Sequence, residues 1–458
     1  MLVFRALQVT AYRRFFFAQG FSLVGNWLSL TATAWLAYEL TRDAFSLGLV
    51  VFAQQLPVLL FAPLAGVLGD RVDLRRLFAG LQVACALHAV ALAVLSLSGH
   101  LTFGWLVGLA ALRGLVNAAE FPTRQSLTLD LVGDREHLPN AIALNSSLFN
   151  VARMLGPACA GLVIAHARVG WCYVLDAASC VPVVVVMALA LRRSPPAGRP
   201  ASAPPRPHPL RALGEGLAHV ARSSGLRAPL LLIALTAFSG FAATTLAPLI
   251  AREFLHGDAR LLGWLQGAVG LGALGSALAL GRTLPPARLE RWVGRGPLLI
   301  AAGQAVCAFS GLRALTLAGM TVFGAGIVLT YAGANTLLQL RVAPDKRNRV
   351  LGLFSTAQSV YPLGGLAVGA LAASTFGPRA TILLNAAVCA TGGLLFLRAT
   401  GDRNRGDPAA EGGTEWLREA APACSGKTIS PPTAPSASSP RPFRPTPNGP
   451  PSRTCPPA

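Results

Sequence analysis

Five ionisable residues stand in or beside stretches that are otherwise apolar: Glu39, Arg113, Glu120, Arg153 and Asp176. A charge at the centre of a membrane helix costs about 2.5–3.5 kcal/mol on insertion scales, so each needs a partner or a task. The chemistry open to such a set is proton exchange, which requires a carboxylate whose proton affinity is raised by burial. Asp176 is the deepest candidate, Glu120 lies near the inner end of its stretch, and Glu39 lies at the outer end of the first. The bland alternatives stay open. Arg113 can be a structural cation paired with a carboxylate or a helix C-terminus. Arg153 reads more readily as structural, and Asp176 can serve packing.

The surrounding composition says what kind of chain holds them. Hydrophobic residues make up 53% and charged residues 13%, against about a quarter charged in soluble proteins. Lys and Arg number 39 and Asp and Glu 19, giving +20. A basic balance can mean nucleic acid, but these arginines sit between apolar runs, which fits a membrane and no nucleic-acid partner. Five of the eight cysteines (Cys85, Cys159, Cys180, Cys307, Cys389) lie inside apolar stretches, and Cys172 lies near the end of one. No C-x-x-C or His/Cys cluster is present, so no metal or cofactor is expected. No nucleophile–base pair or phosphate loop stands outside the apolar runs, and an enzyme is not indicated. Gly270-x-Gly272-x-x-Gly275 lies inside an apolar run with no preceding strand, and Asn145-Ser146-Ser147 lies at a membrane helix. Neither hit is read as a site.

A spanning helix needs about 20 mostly apolar residues. Candidates fall at about 15–40, 45–69, 77–98, 102–120, 141–165 and 171–191, then at about 228–251, 260–281, 297–312, 314–335, 350–374 and 378–398. The first run follows Arg5, Arg13 and Arg14 and contains Ala32-Thr33-Ala34, which mimics a cleavage site. It is too long for a signal segment and reads as a retained span. With both termini in the cytoplasm, about 23 Lys/Arg before the tail face inward and about six (Arg42, Arg168, Arg252, Arg260, Arg313, Arg379) face outward. This is the positive-inside pattern of a multi-pass bacterial inner-membrane protein. The expected organisation is a six-helix half at 1–191, a proline-rich cytoplasmic linker at 192–227, a second six-helix half at 228–398 and a disordered Pro/Ser-rich tail at 399–458.

The halves resemble each other. Val174-Leu175-Asp176-Ala177-Ala178-Ser179-Cys180 matches Leu383-Leu384-Asn385-Ala386-Ala387-Val388-Cys389. Gly156 and Gly161 correspond, within a one-residue shift, to Gly364 and Gly369, and Leu47-Gly48 corresponds to Leu262-Gly263. The separations run from 208 to 215. Duplication accounts for the common order, and two such halves create a midplane cavity that opens to either side as they rock.

Local motifs sharpen this picture. The loop Gly66-Val67-Leu68-Gly69-Asp70-Arg71-Val72-Asp73-Leu74-Arg75-Arg76 resembles the signature loop of the major facilitator superfamily, Gly-x-x-x-Asp-Arg-x-Gly-x-Arg-Arg. Asp73 replaces the second glycine and can instead cap the third helix. Gly66 permits close helix approach, and Asp70 can face a helix N-terminus or an arginine between the halves. Gly156-Pro157-Ala158-Cys159-Ala160-Gly161 resembles the Gly-Pro-x-x-Gly-Gly element of exporters in that superfamily, with Ala160 for one glycine. Arg113-Gly114 resembles its fourth-span arginine element, linked there to proton coupling. Phe4-Arg5-Ala6-Leu7, Tyr12-Arg13-Arg14-Phe15-Phe16, Leu138-Pro139-Asn140-Ala141-Ile142-Ala143-Leu144-Asn145, Arg341-Val342 to Gly352, and Gly377-Pro378-Arg379-Ala380-Thr381 are similar to the enterobactin-exporter-like group.

The resemblance implies an all-α fold of twelve membrane helices in two six-helix pseudo-repeats. It also implies proton-coupled export of a siderophore or hydrophobic drug-like molecule by a chain for which a monomer suffices. In the superfamily the first, fourth, seventh and tenth spans line the pocket. On these spans Gln19, Asn26, Trp27, Asn117, Phe238, Phe241, Tyr331 and Asn335 are the cavity candidates, unless they serve ordinary packing. An uptake or facilitative carrier, or a sensor or scaffold acting through the tail, are the competing expectations.

Overall fold

The computed structural model describes residues 2–69, 72–133, 137–193, 224–280, 286–342 and 347–406. All of these fall in one compact unit, Met1–Gly413. Apolar surroundings force each segment to satisfy its own backbone hydrogen bonds, and helices follow. A 3-10 turn, Leu2–Gln8, leads into α1 (Thr10–Thr41), α2 (Ala44–Gly69), α3 (Leu74–Leu97), α4 (Phe103–Val132), α5 (Leu138–His166) and α6 (Gly170–Arg193). The second half opens with α7 (Ser224–Ser239), whose path continues through short turns at Ala242–Thr245 and Ala247–Leu249 and a π turn at Ile250–Phe254. Then come α8 (Ala259–Leu280), α9 (Pro286–Phe309), α10 (Arg313–Arg341), the pair α11 (Arg347–Gln358) and α12 (Tyr361–Ala373), and α13 (Gly377–Gly406).

Eight of the described helical stretches are long and apolar enough to cross a membrane: α2, α3, α5, α6, the seventh span, α8, α10 and α13. The other four spans of the fold are more polar or broken. Arg113, Glu120 and Arg124 lie in α4, Arg288, Glu290, Arg291 and Arg295 in α9, and Ser359-Val360 divides α11 from α12. The described residues thus form twelve spans in two sets of six.

Several boundaries differ from the hydropathy expectation. α4 runs on to Val132 because its final turns are polar and lie beyond the apolar window. α9 begins at Pro286 rather than near 297 for the same reason. The seventh span is interrupted at Gly240-Phe241, and the Gln304 amide donates to the Gly240 carbonyl at 2.9 Å. That donor from α9 satisfies a backbone acceptor which a broken helix would otherwise leave bare. At the start of α3, the Asp73 carboxylate accepts from the Arg75 and Arg76 N–H groups at 2.9 Å, which is the cap expected from the sequence. Asp73→Ala is expected to cost about 1 kcal/mol, read as a small fall in Tm with the fold retained.

The duplication becomes physical in the packing. Gly156 of α5 lies against Val24 and Trp27 of α1, and Gly364 of α12 lies against the backbone of Phe238 in α7. Gly161 meets Ala259 and Arg260 of α8, while Gly369 meets Ala44 and Gly48 of α2. Gly263 packs on Pro157 and Gly161, and Gly48 packs on Gly365 and Gly369. The two halves therefore meet along two equivalent seams, α2 with α12 and α5 with α8. Small residues suit this role because, in lipid, helices associate through close backbone packing rather than hydrophobic burial. Both seams lie in the half of the bundle away from the chain termini.

Candidate functional site

Between the seams and the terminal end lies a cavity of about 730 Å³. Its walls come from both halves: Trp27 and Thr33 of α1, Gln54 of α2, Phe121 of α4, Phe149 and Arg153 of α5, Phe241 of the seventh span, Gln266 of α8, Tyr331 of α10, and Tyr361 of α12. Among the described lining residues, six aromatic rings stand beside aliphatic and amide side chains. Phe241 packs against Tyr361 with ring centroids 4.8 Å apart, and Trp27 packs against Phe149 at 5.7 Å. The size fits a drug-sized ligand, for which pockets run from about 300 to 1,000 Å³.

The end away from the termini is closed by polar contacts as well as glycine seams. The Tyr38 hydroxyl donates to Glu253 in the π turn, and the Thr31 hydroxyl donates to Gln266 Oε1 at 2.6 Å. Arg260 at the start of α8 donates to His166 at the end of α5 at 3.2 Å. These three bonds link the halves: the Thr31–Gln266 bond borders the cavity, whose wall includes Gln266, and the other two sit beyond it on its closed side.

A second polar cluster lies inside the first half. Arg113 donates to Asn26 Oδ1 at 2.8 Å and pairs with Glu120 at 3.6 Å. The Cys85 thiol reaches Glu120 at 3.7 Å, and the Ser29 hydroxyl bonds the Asp176 carboxylate. Arg113, Glu120 and Asp176 are each buried. Charges this deep are tolerated only as a mutually satisfied group. His88 bonds the Leu109 carbonyl at 3.0 Å through Nε2, while its Nδ1 has no partner among the described residues. Beside it, Asn26, Ser29, Gln54 and Arg113 line a small void of about 20 Å³, enough for one water. Leu30, Thr33 and Gln54 line this void and the large cavity alike.

The predicted site residues therefore divide. Arg113, Glu120 and Asp176 come together. Glu39 lies apart, in an ion pair with Arg42 at 3.0 Å near the closed end. Trp27, Phe241 and Tyr331 line the large cavity and Asn26 the small void. Asn117 is half-buried in α4, and Asn335 bonds Gln339 in α10. Phe238 is 42% exposed, and Gln19 is buried with its amide atoms unpaired. None of these last four is among the residues lining either space. Of the signature loop, Gly66 falls within α2, and Asp70 and Arg71 lie outside the described residues. Arg75 pairs with Asp130 at 3.1 Å and Arg76 is exposed. Gly156, Pro157 and Gly161 lie where α5 meets α1 and α8. Sequence reasoning missed Gln54, Gln266 and Tyr361, and it set Arg153 aside as structural. The signal available was a polar or aromatic residue within an apolar run on spans two, five, eight and eleven.

Comparison with known proteins adds the family context. The model of a family described as transmembrane secretion effector matches residues 3–405. The chain is 25% identical over 370 residues to the staphyloferrin A transporter of Staphylococcus aureus, covering 80% of this chain and 90% of that one. It is 26% identical over 406 residues to the enterobactin exporter EntS of Citrobacter koseri, covering 86% and 93%. With the multidrug efflux pump Tap of Mycolicibacterium fortuitum it shares 26% over 374 residues, covering 78% and 88%. Among solved structures, the peptide transporter POT matches with a TM-score of 0.68 at 14% identity, covering 86% of this chain and 95% of that one. A bacterial homologue of the iron transporter ferroportin, in an inward-facing state, matches with a TM-score of 0.65 at 14% identity, covering 86% and 99%. At these identities the solved structures speak to the fold alone.

Proposed function

Since the chain belongs to the transmembrane secretion effector family of major facilitator transporters, we propose that it is a proton-coupled exporter working by alternating access. Its cargo on this reading is a hydrophobic small molecule or a siderophore, in keeping with relatives named for enterobactin export and multidrug efflux. The observation that carries the proposal is the pair of equivalent glycine seams closing one end of a two-half cavity. Two such seams are hinge-like contacts that can open while the opposite end closes, so the halves 1–191 and 228–398 rock about the cargo. The termini face the cytoplasm of a bacterial inner membrane, and one chain is a complete carrier. The closed end then faces outward, with all six sparse arginines on that side.

Coupling is assigned to the buried group of Arg113, Glu120 and Asp176. Proton uptake by a carboxylate in this group removes a charge that Arg113 holds in place. The shared wall at Leu30, Thr33 and Gln54 connects that change to the cargo space.

Everted membrane vesicles made acidic inside are expected to concentrate an anilinonaphthalene dye, and dissipating the gradient should stop the accumulation. Asp70→Ala, in the loop of the signature motif, is expected to slow uptake several-fold at unchanged protein level. Accumulation that ignores the gradient, with counterflow intact, would identify a facilitative carrier instead.

A further inference from the structure

We propose that the cavity selects its cargo by charge, with the Arg153 guanidinium as the recognition point for an anionic group on an amphipathic, ring-bearing molecule. This rests on the cavity being the export path. Arg153 is the one charged side chain among the described residues that line it. It lies 5.6 Å over the Trp27 ring, and no carboxylate or hydrogen-bond acceptor is paired with it among the described residues.

Several other arginines have carboxylate partners. Arg113 pairs with Glu120, Arg75 with Asp130, and Arg341 with Glu290. A cation set in an apolar wall is expensive to leave uncompensated, and an aromatic face offsets only part of that cost. The missing compensation is an anion, and the cavity in front of Arg153 is where one can enter. The guanidinium fork can donate to two oxygens of one carboxylate or sulfonate at once.

The rest of the wall agrees. Gln54, Gln55, Gln266 and Gln358 are its amides, and its rings supply stacking faces. Trp27 Nε1 and the Tyr331 hydroxyl are hydrogen-bond donors without partners among the described residues. A cationic cargo would meet Arg153 with no described acidic residue to offset the repulsion.

Two probes with one ring system separate charge from shape: anilinonaphthalene sulfonate and its uncharged counterpart phenylnaphthylamine. Saturable binding of each is measured on the full chain in lipid nanodiscs. The wild type is expected to bind the sulfonate more tightly than the uncharged probe. Arg153→Gln should weaken the sulfonate about tenfold, the loss of one charge-assisted contact, and leave phenylnaphthylamine unchanged. Arg153→Lys, which keeps the charge without the fork, should restore part of the sulfonate affinity, and unchanged phenylnaphthylamine binding shows that the wall is intact. Equal weakening of both probes, or of neither, overturns charge selection and leaves the cavity as a binding site. If the wild type binds neither probe saturably, the export-path reading falls as well.

Discussion

Gly263→Leu is expected to slow transport roughly 5- to 150-fold while leaving a folded protein in the membrane. A side chain at this position meets the Pro157 carbonyl and the backbone of Gly161, neither of which can move aside as a flexible side chain could. The seam between α5 and α8 then cannot form. Overpacking of this kind costs about 1–3 kcal/mol, and all of it falls on the conformation closed at that end. The conformational balance should shift by roughly 5- to 150-fold toward the opposite state. Transport by alternating access needs both states, so turnover falls by a similar factor. A cysteine at Val50, which lines the cavity and is 5% exposed, should become reactive toward a membrane-impermeant maleimide from the outer face. Gly48→Leu should act in the same way through the α2–α12 seam, where Gly365 and Gly369 oppose it. Gly80→Leu is the control, because Gly80 is exposed and nothing lies within 4 Å of a Cβ added there. Full transport in the Gly263 variant would contradict a seam that must close.

The second large effect is expected at Arg113. Its side chain and that of Glu120 are 9% and 11% exposed, with 3.6 Å between the charged groups. Arg113→Gln leaves the carboxylates of Glu120 and Asp176 without their cation. Breaking a buried pair by removing one partner costs about 3–5 kcal/mol, so a large fall in Tm and in membrane abundance should follow. Stability alone does not identify a coupling role. The double variant Arg113→Gln/Glu120→Gln removes both charges, and much of the lost stability should return. Gradient-driven accumulation should stay absent, while gradient-free counterflow of the same dye recovers. If gradient-driven accumulation also returns in the double variant, the pair only holds the helices together.

The architecture was legible because membrane helices announce themselves by length and apolarity, and duplication repeats that signal. The matches Gly161 with Gly369 and Gly48 with Gly263 needed no structure, and they now lie in the two equivalent seams. Asp73 was readable as a cap because capping depends on local sequence alone. The helix ends were less legible, since α4 and α9 run on through polar turns that hydropathy discounts.

The site was harder for a specific reason. Which way a residue faces depends on the partners of its helix, and a membrane run whose lipid-facing side is as apolar as its packed side carries little periodicity. Phe238 and Phe241 lie three residues apart, yet the break at Gly240 stands between them, and only Phe241 lines the cavity. Arg153 was set aside because a lone arginine usually has a carboxylate nearby, and only the fold shows that none is placed there among the described residues. Asp176 and Arg113 could be named as buried charges, but nothing in their spacing told that α4 and α6 bring them into one group.

The account's central claim is that the two halves rock about the cavity, closing one end as the other opens. It is tested most directly by two electron–electron distances in nanodiscs, with native cysteines replaced. One pair of spin labels stands at Ser98 and Leu312, exposed positions at the closed end on opposite halves, and the other at Arg76 and Arg288, exposed positions at the terminal end. Across acid and neutral pH, with and without anilinonaphthalene sulfonate, the first distance should lengthen in the conditions that shorten the second. Distances that stay fixed, or that change together in the same direction, would contradict alternating access by this protein.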